Sequence, residues 1–133
     1  MNKDLRIIHN KDVTFDILKN MKIGVVGYGN QGKAQALNLK DRGLDLKIGL
    51  RDNSESLAIA LSDGFVSESI ESVVEWADLI ALLVPDKEMP IIYKNSIKDF
   101  LSAGKTLLFS HGFNVHYNLI DIPEKVNVVM VAP

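Results

Sequence analysis

The sequence predicts an α/β domain in three layers, with a doubly wound, mostly parallel sheet of about six strands between its helices. Three observations predict it. Short runs rich in Val, Ile and Leu alternate with helical stretches along the chain, as buried parallel strands and their crossover helices do. Gly27-Tyr28-Gly29-Asn30-Gln31-Gly32 stands between the first such run and the first long helical stretch. The 133 residues, 47% of them hydrophobic, are enough to bury one core, and no repeat, low-complexity tract or Pro/Ser-rich linker divides them, so residues 1–133 read as a single domain.

Residues 22–27 read as the first strand. The helix over 31–42 turns Ala34 and Leu37 toward the sheet, with Ala36 and Leu39 as further candidates, and Gly43 ends it. A second strand over 46–50 leads to a helix over 54–62, a turn at Asp63-Gly64 and a short third strand at Phe65 and Val66. Residues 69–76 form the next helix, and the fourth strand, 79–84, is stopped by Pro85. Residues 87–101 read as one helix broken at Pro90, which lacks a backbone donor and restricts Met89 before it. A fifth strand over 106–110, a helical turn over 115–120 and a sixth strand over 126–131 complete the alternation.

Composition closes several function classes. Cysteine is absent, which removes disulfides, thiolate metal sites and a cysteine nucleophile. A net charge of −2, with the charges scattered, gives no field suited to nucleic acid. No apolar run reaches the roughly 20 residues of a membrane span, and the polar stretch 1–11 lacks the apolar core of a signal peptide. The expectation is a cytoplasmic protein with neither a membrane nor a nucleic-acid partner.

The glycine loop carries the chemistry. In Gly-x-Gly-x-x-Gly between a strand and a helix, Gly27 permits the tight turn, Gly29 lets a pyrophosphate approach the backbone, and Gly32 lets the helix pack closely. Backbone N–H groups and the helix dipole then face the anion, which is the dinucleotide-binding arrangement of a Rossmann-type domain. A purely structural glycine turn is the alternative. The end of the second strand chooses the dinucleotide: an acid there accepts the ribose 2′-hydroxyl of NAD, and an arginine accommodates the 2′-phosphate of NADP. Here it is Arg51, with Ser54 and Ser56 as further donors, which favours NADP(H). Asp52 and Glu55 leave strictness over NAD open, and Arg51 as a surface arginine beside helix-capping serines is the competing reading.

The ordered segments GYGNQGKAQALNLKDRG, IGLRDNSES, LLVPDKEM, FSHGFNVHY and VNVVMVAP resemble the N-terminal domain of ketol-acid reductoisomerase, the acetohydroxyacid isomeroreductase of branched-chain amino-acid biosynthesis. The likeness runs from about Leu5 to Pro133 and includes the leader His9-Asn10-Lys11-Asp12 with Ile17-Leu18-Lys19. It implies that Tyr28 to Gln31 hold the pyrophosphate, that Arg51, Ser54 and Ser56 hold the 2′-phosphate, and that Pro85, Asp86 and Met89 line the cofactor. His111, in Ser110-His111-Gly112-Phe113-Asn114, matches the family's active-site histidine beside the nicotinamide. Lys33, Asn30 and Met89 depart from the usual His, Ser and Gln; Lys33 can still neutralise pyrophosphate charge, whereas Met89 cannot replace an amide's hydrogen bonds. The family's alkyl migration also needs two Mg²⁺ ions on carboxylates of a helical C-terminal domain, and no such acidic helix pair is visible in these residues. The resemblance therefore implies a chain that binds cofactor, does not complete the reaction alone, and self-associates or pairs with a second chain carrying the helical domain.

The remaining candidates have plainer readings. His116 near His111 lacks a third ligand for a metal, and His9 reads as surface. Asp86 and Glu88 can be an acid/base pair or helix-start carboxylates answering the dipole, and Trp76 and Phe100 read as core or interface. Tyr28, inside the glycine loop, is expected to lay its ring beside the dinucleotide. A standalone, non-catalytic NADP(H)-sensing module is the competing function, because one fold hosts many.

Overall fold

A computed structural model describes residues 6–132, which leaves part of the polar N-terminal stretch and Pro133 outside the described residues. The strands are β1 (Ile23–Val26), β2 (Leu46–Gly49), β3 (Val66–Glu68), β4 (Leu79–Leu82), β5 (Thr106–Phe109) and β6 (Asn127–Met130). The principal helices are α1 (Asp16–Lys19), α2 (Asn30–Asp41), α3 (Ser56–Ser62), α4 (Ile70–Trp76), α5 (Met89–Ile92) and α6 (Phe113–His116). The six strands form one sheet in the order β3-β2-β1-β4-β5-β6, and every neighbouring pair is parallel. Chain order reverses between β1 and β4, which is where doubly wound sheets bind ligands. No helix among the described residues is long and apolar enough to cross a membrane.

Alternation along the strands makes two cores. Ile23 and Val25 of β1 join Ile48, Ala36, Ala60 and Phe65 on one face, while Val26 joins Ile80, Leu82, Leu107, Phe109 and Val74 on the other. Two glycines explain how closely α4 lies on the second face. A Cβ at Gly24 would stand 2.6 Å from Val73 Cγ1, and one at Gly49 3.3 Å from both the Ile70 Cα and the Val73 Cβ. Lys105, buried at the start of β5, donates to the carbonyls of Glu75 and Ala77 at the end of α4, which satisfies two of the helix's terminal acceptors.

Several local expectations change. Ala34 is exposed; Gly32 and Ala36 are the fully buried positions of α2, with Leu37 and Leu39 partly covered. The third strand starts at Val66, because Phe65 turns inward into the core. The second helix begins at Ser56, since Arg51 to Ser54 form a turn closed by the Ser54 N–H donating to the Arg51 carbonyl. Pro90 does not break its helix: it sits in the first turn of α5, where no backbone donor is required. Regularity is lost later, in a π turn (Tyr93–Ile97) and a 3₁₀ turn (Lys98–Phe100). Gly43 and Gly64 do end their helices with φ of +77° and +85°.

Candidate dinucleotide-binding site

The register sets the C-terminal residues Gly49, Val26, Leu82 and Phe109 level across β2, β1, β4 and β5. The segments that follow them therefore emerge side by side at one edge of the sheet. They enclose an open cleft of about 460 Å³. Gly27 to Gln31, Arg51, Ser54, Ser56, Pro85, Asp86, Met89 and His111 all line it. Gly32 does not line it.

The three loop glycines have different reasons. Gly27 has a φ of +96°, and its Cβ would stand 2.7 Å from the Leu83 carbonyl oxygen. At Gly32 a Cβ would stand 2.5 Å from the Gly27 carbonyl oxygen. Both are demanded by the protein itself. Gly29 is not: its φ is −79°, and a Cβ there would meet nothing within 4 Å. Gly29 is therefore not required by the fold, and it faces the cleft at the mouth of a twelve-residue helix.

Tyr28 corrects an expectation. Its ring is buried, 4% exposed, edge-on to Phe65 with centroids 5.8 Å apart, and its hydroxyl donates to Asp63 at 2.6 Å. The ring therefore anchors the loop from behind instead of stacking on a ligand. Burial, then the Asp63 hydrogen bond, pushes the Tyr28 pKa well above the usual tyrosine range. Asp63 moves the other way: the Tyr28 hydroxyl and then Lys33 hold its carboxyl below the ordinary value. Lys33 Nζ lies 3.2 Å from Asp63, on the far side of the loop, and does not line the cleft where a pyrophosphate would be met.

On β2's side, Arg51 is exposed and its Nη2 lies 3.2 Å from Glu88 Oε2. Ser54 Oγ accepts the N–H of Ser56, the first residue of α3, at 3.3 Å, and both serines face the cleft. Asp52 and Glu55 do not line the cleft. On the β4–β5 side, His111 is exposed, with Nδ1 3.5 Å from Asp86 Oδ2. Neither Asp86 nor Glu88 caps the helix that follows; each faces a cation or imidazole on a neighbouring loop.

Sequence reasoning passed over three residues that tie these loops together. Gln35 of α2 donates to Ser110 at 3.2 Å, joining the glycine-loop helix to the His111 loop. Ser110 itself is buried and lines the cleft. Asn114, 1% exposed, donates to the Asp86 carbonyl at 3.2 Å and contacts Met89 Sδ at 3.4 Å, while its Oδ1 is buried and has no partner among the described residues. The signal for Asn114 was its place in the His111 motif; Gln35 carries no local signal. Trp76 and Phe100 pack on the core, and His9 and His116 are exposed.

Comparison with known proteins gives a consistent result. The family model "Acetohydroxy acid isomeroreductase, NADPH-binding domain" matches residues 17–133. Ketol-acid reductoisomerase (NADP(+)) of Methanocaldococcus jannaschii is 50% identical over 129 residues, covering 97% of this chain and 39% of that protein. The Clostridioides difficile enzyme of the same name is 48% identical over 128 residues, again 39% of its length. A solved NADH-preferring ketol-acid reductoisomerase from an uncultured archaeon superposes with a TM-score of 0.90 at 44% identity, covering 97% of this chain and 40% of that one. The chain thus spans about two fifths of the length of these relatives. It belongs to the acetohydroxy acid isomeroreductase (ketol-acid reductoisomerase) family and corresponds to its NADPH-binding domain.

Proposed function

We propose that the chain is the NADP(H)-holding part of a ketol-acid reductoisomerase, which isomerises and reduces 2-acetolactate to 2,3-dihydroxy-3-methylbutanoate in branched-chain amino-acid biosynthesis. The observation that carries this reading is Gly29, a glycine with room around it and no conformational need, at a helix mouth facing the cleft. Backbone N–H groups from Gly27 to Gln31 receive the pyrophosphate. Arg51, Ser54 and Ser56 receive the 2′-phosphate, and Pro85, Asp86 and Met89 border the nicotinamide end. Bound NADPH supplies the hydride for the reduction. Asp86, with Oδ2 3.5 Å from Nδ1 of His111, helps orient the imidazole at the cleft, where it can exchange a proton with substrate.

The migration step belongs elsewhere in the complete enzyme. Among the described residues no three His, Asp or Glu side chains converge as a metal site, so these residues do not fit Mg²⁺. We assign the metal carboxylates to the helical remainder of the family's longer proteins. Exposed Phe113, Tyr117, Leu119, Val128 and Met130 supply the apolar surface on which such a domain, or a second copy, would dock.

Calorimetric titration with NADPH and NADH tests the cofactor reading. NADPH is expected to bind more tightly, and equal affinities or tighter NADH overturn the assignment. With 2-acetolactate, Mg²⁺ and NADPH the chain alone is expected to show no turnover; activity would show that it supplies its own metal site.

A further inference from the structure

Arg51 and Glu88 come from the two strand ends that flank β1, and their side chains meet at 3.2 Å across the cleft. Glu88 is well placed to stay there. Its N–H donates to the Pro85 carbonyl at 3.0 Å and its own carbonyl accepts the Ile92 N–H at 3.1 Å, so the backbone is held on both sides of the residue. The acids beside Arg51 in sequence, Asp52 and Glu55, make no ion pair with it among the described residues. We infer that Glu88 is a specificity-determining residue: its carboxylate competes with the cofactor's 2′-phosphate for the Arg51 guanidinium and so narrows the preference for NADPH over NADH. This rests on the reading of Arg51 as the phosphate's partner.

The physics is a contest between two anions for one cation. A phosphate near Arg51 must displace the carboxylate or share the guanidinium with it, and a shared site places like charges close together. The pair is largely exposed, with side chains 63% and 49% accessible, so water and salt soften the contest without abolishing it. NADH brings a hydroxyl to the same place and meets no such opposition; a carboxylate there can accept its hydrogen bond.

The test is titration of four proteins, wild type, Glu88→Gln, Arg51→Ala and the double variant, with NADPH and NADH. Glu88→Gln keeps size and removes charge, and is expected to tighten NADPH about three- to fivefold, the upper part of the range left to a screened surface charge, while NADH changes less than about twofold. The gain is expected to shrink in the Arg51→Ala background, because the contested cation is gone. If Arg51→Ala leaves NADPH affinity unchanged, Arg51 does not meet the phosphate and both readings fall. If Arg51→Ala weakens NADPH but Glu88→Gln leaves it unaltered, or shifts NADPH and NADH alike, the role of Glu88 alone is overturned.

Discussion

β1 and β6 are four-residue strands of similar apolar character in one parallel sheet, yet their surroundings are opposite. Every residue of β1 is buried, with β2 and β4 on its sides and helices on both faces. Every residue of β6 is exposed, Val128 and Val129 by 43% and 41%, and among the described residues it pairs only with β5. The comparison teaches that a run of β-branched residues records a demand for burial, whereas position in the sheet decides whether the demand is met. It also separates the halves of the site. The glycine loop grows from the covered strand and is pinned from behind by Tyr28 and Asp63, while His111 precedes a half-exposed helix and an exposed edge strand.

The largest expected effect lies on β1. Ile23→Ala, at a site 1% exposed, is expected to destabilise the domain by about 2–5 kcal/mol in urea denaturation, the range for aliphatic truncation in a closed core. A much smaller loss would mean that β1 is less tightly enclosed than its contacts indicate. Gly32→Ala comes next, because its Cβ would meet the Gly27 carbonyl oxygen, which flexible side chains cannot relieve. The loop must shift, and NADPH affinity should fall by about tenfold or more, roughly 1.4 kcal/mol. Retained affinity would show that the helix can move without disturbing the site.

Tyr28→Phe sharpens the contrast through pH. Folded Asp63 gives up its proton more readily than unfolded Asp63, whose ordinary pKa is 3.8, so the contact's contribution is present above that value. It is lost as pH falls through the lower folded value. The stability gap between wild type and Tyr28→Phe should therefore be full near pH 6 and close in acid below pH 4; a gap constant with pH would show that packing, not the Asp63 bond, is what the hydroxyl provides. The smallest effect belongs to β6, where Val129→Ala should change stability within about 0.5 kcal/mol. A loss approaching that of Ile23→Ala would reveal that something covers this edge in solution.

The sheet was legible because its strands other than β3, which is Val66-Ser67-Glu68, are short and mainly apolar, and the cofactor loop because three glycines at that spacing have a mechanical meaning. The misreadings share a cause. Ala34 and Ala36 are equally apolar, and only the docking angle of α2 sends Ala36 to the sheet and Ala34 to solvent. Tyr28 lies in the ligand loop, but the turn at Gly27 carries its ring into the pocket beside Phe65. Lys33 is one residue past the loop, yet Asp63, thirty positions on, claims its ammonium.

The sequence by itself determined the α/β alternation, the glycine loop between the first strand and its helix, and the family, because strand periodicity, glycine conformation and linear motifs are properties of neighbours along the chain. Tertiary structure alone decided that Tyr28 is an anchor, that α4 rests on Gly24 and Gly49, that Gln35 reaches Ser110, and that Arg51 already holds a carboxylate. Those contacts join residues up to 75 positions apart, and hydrogen bonds and van der Waals forces act over a few ångströms of space regardless of separation in sequence.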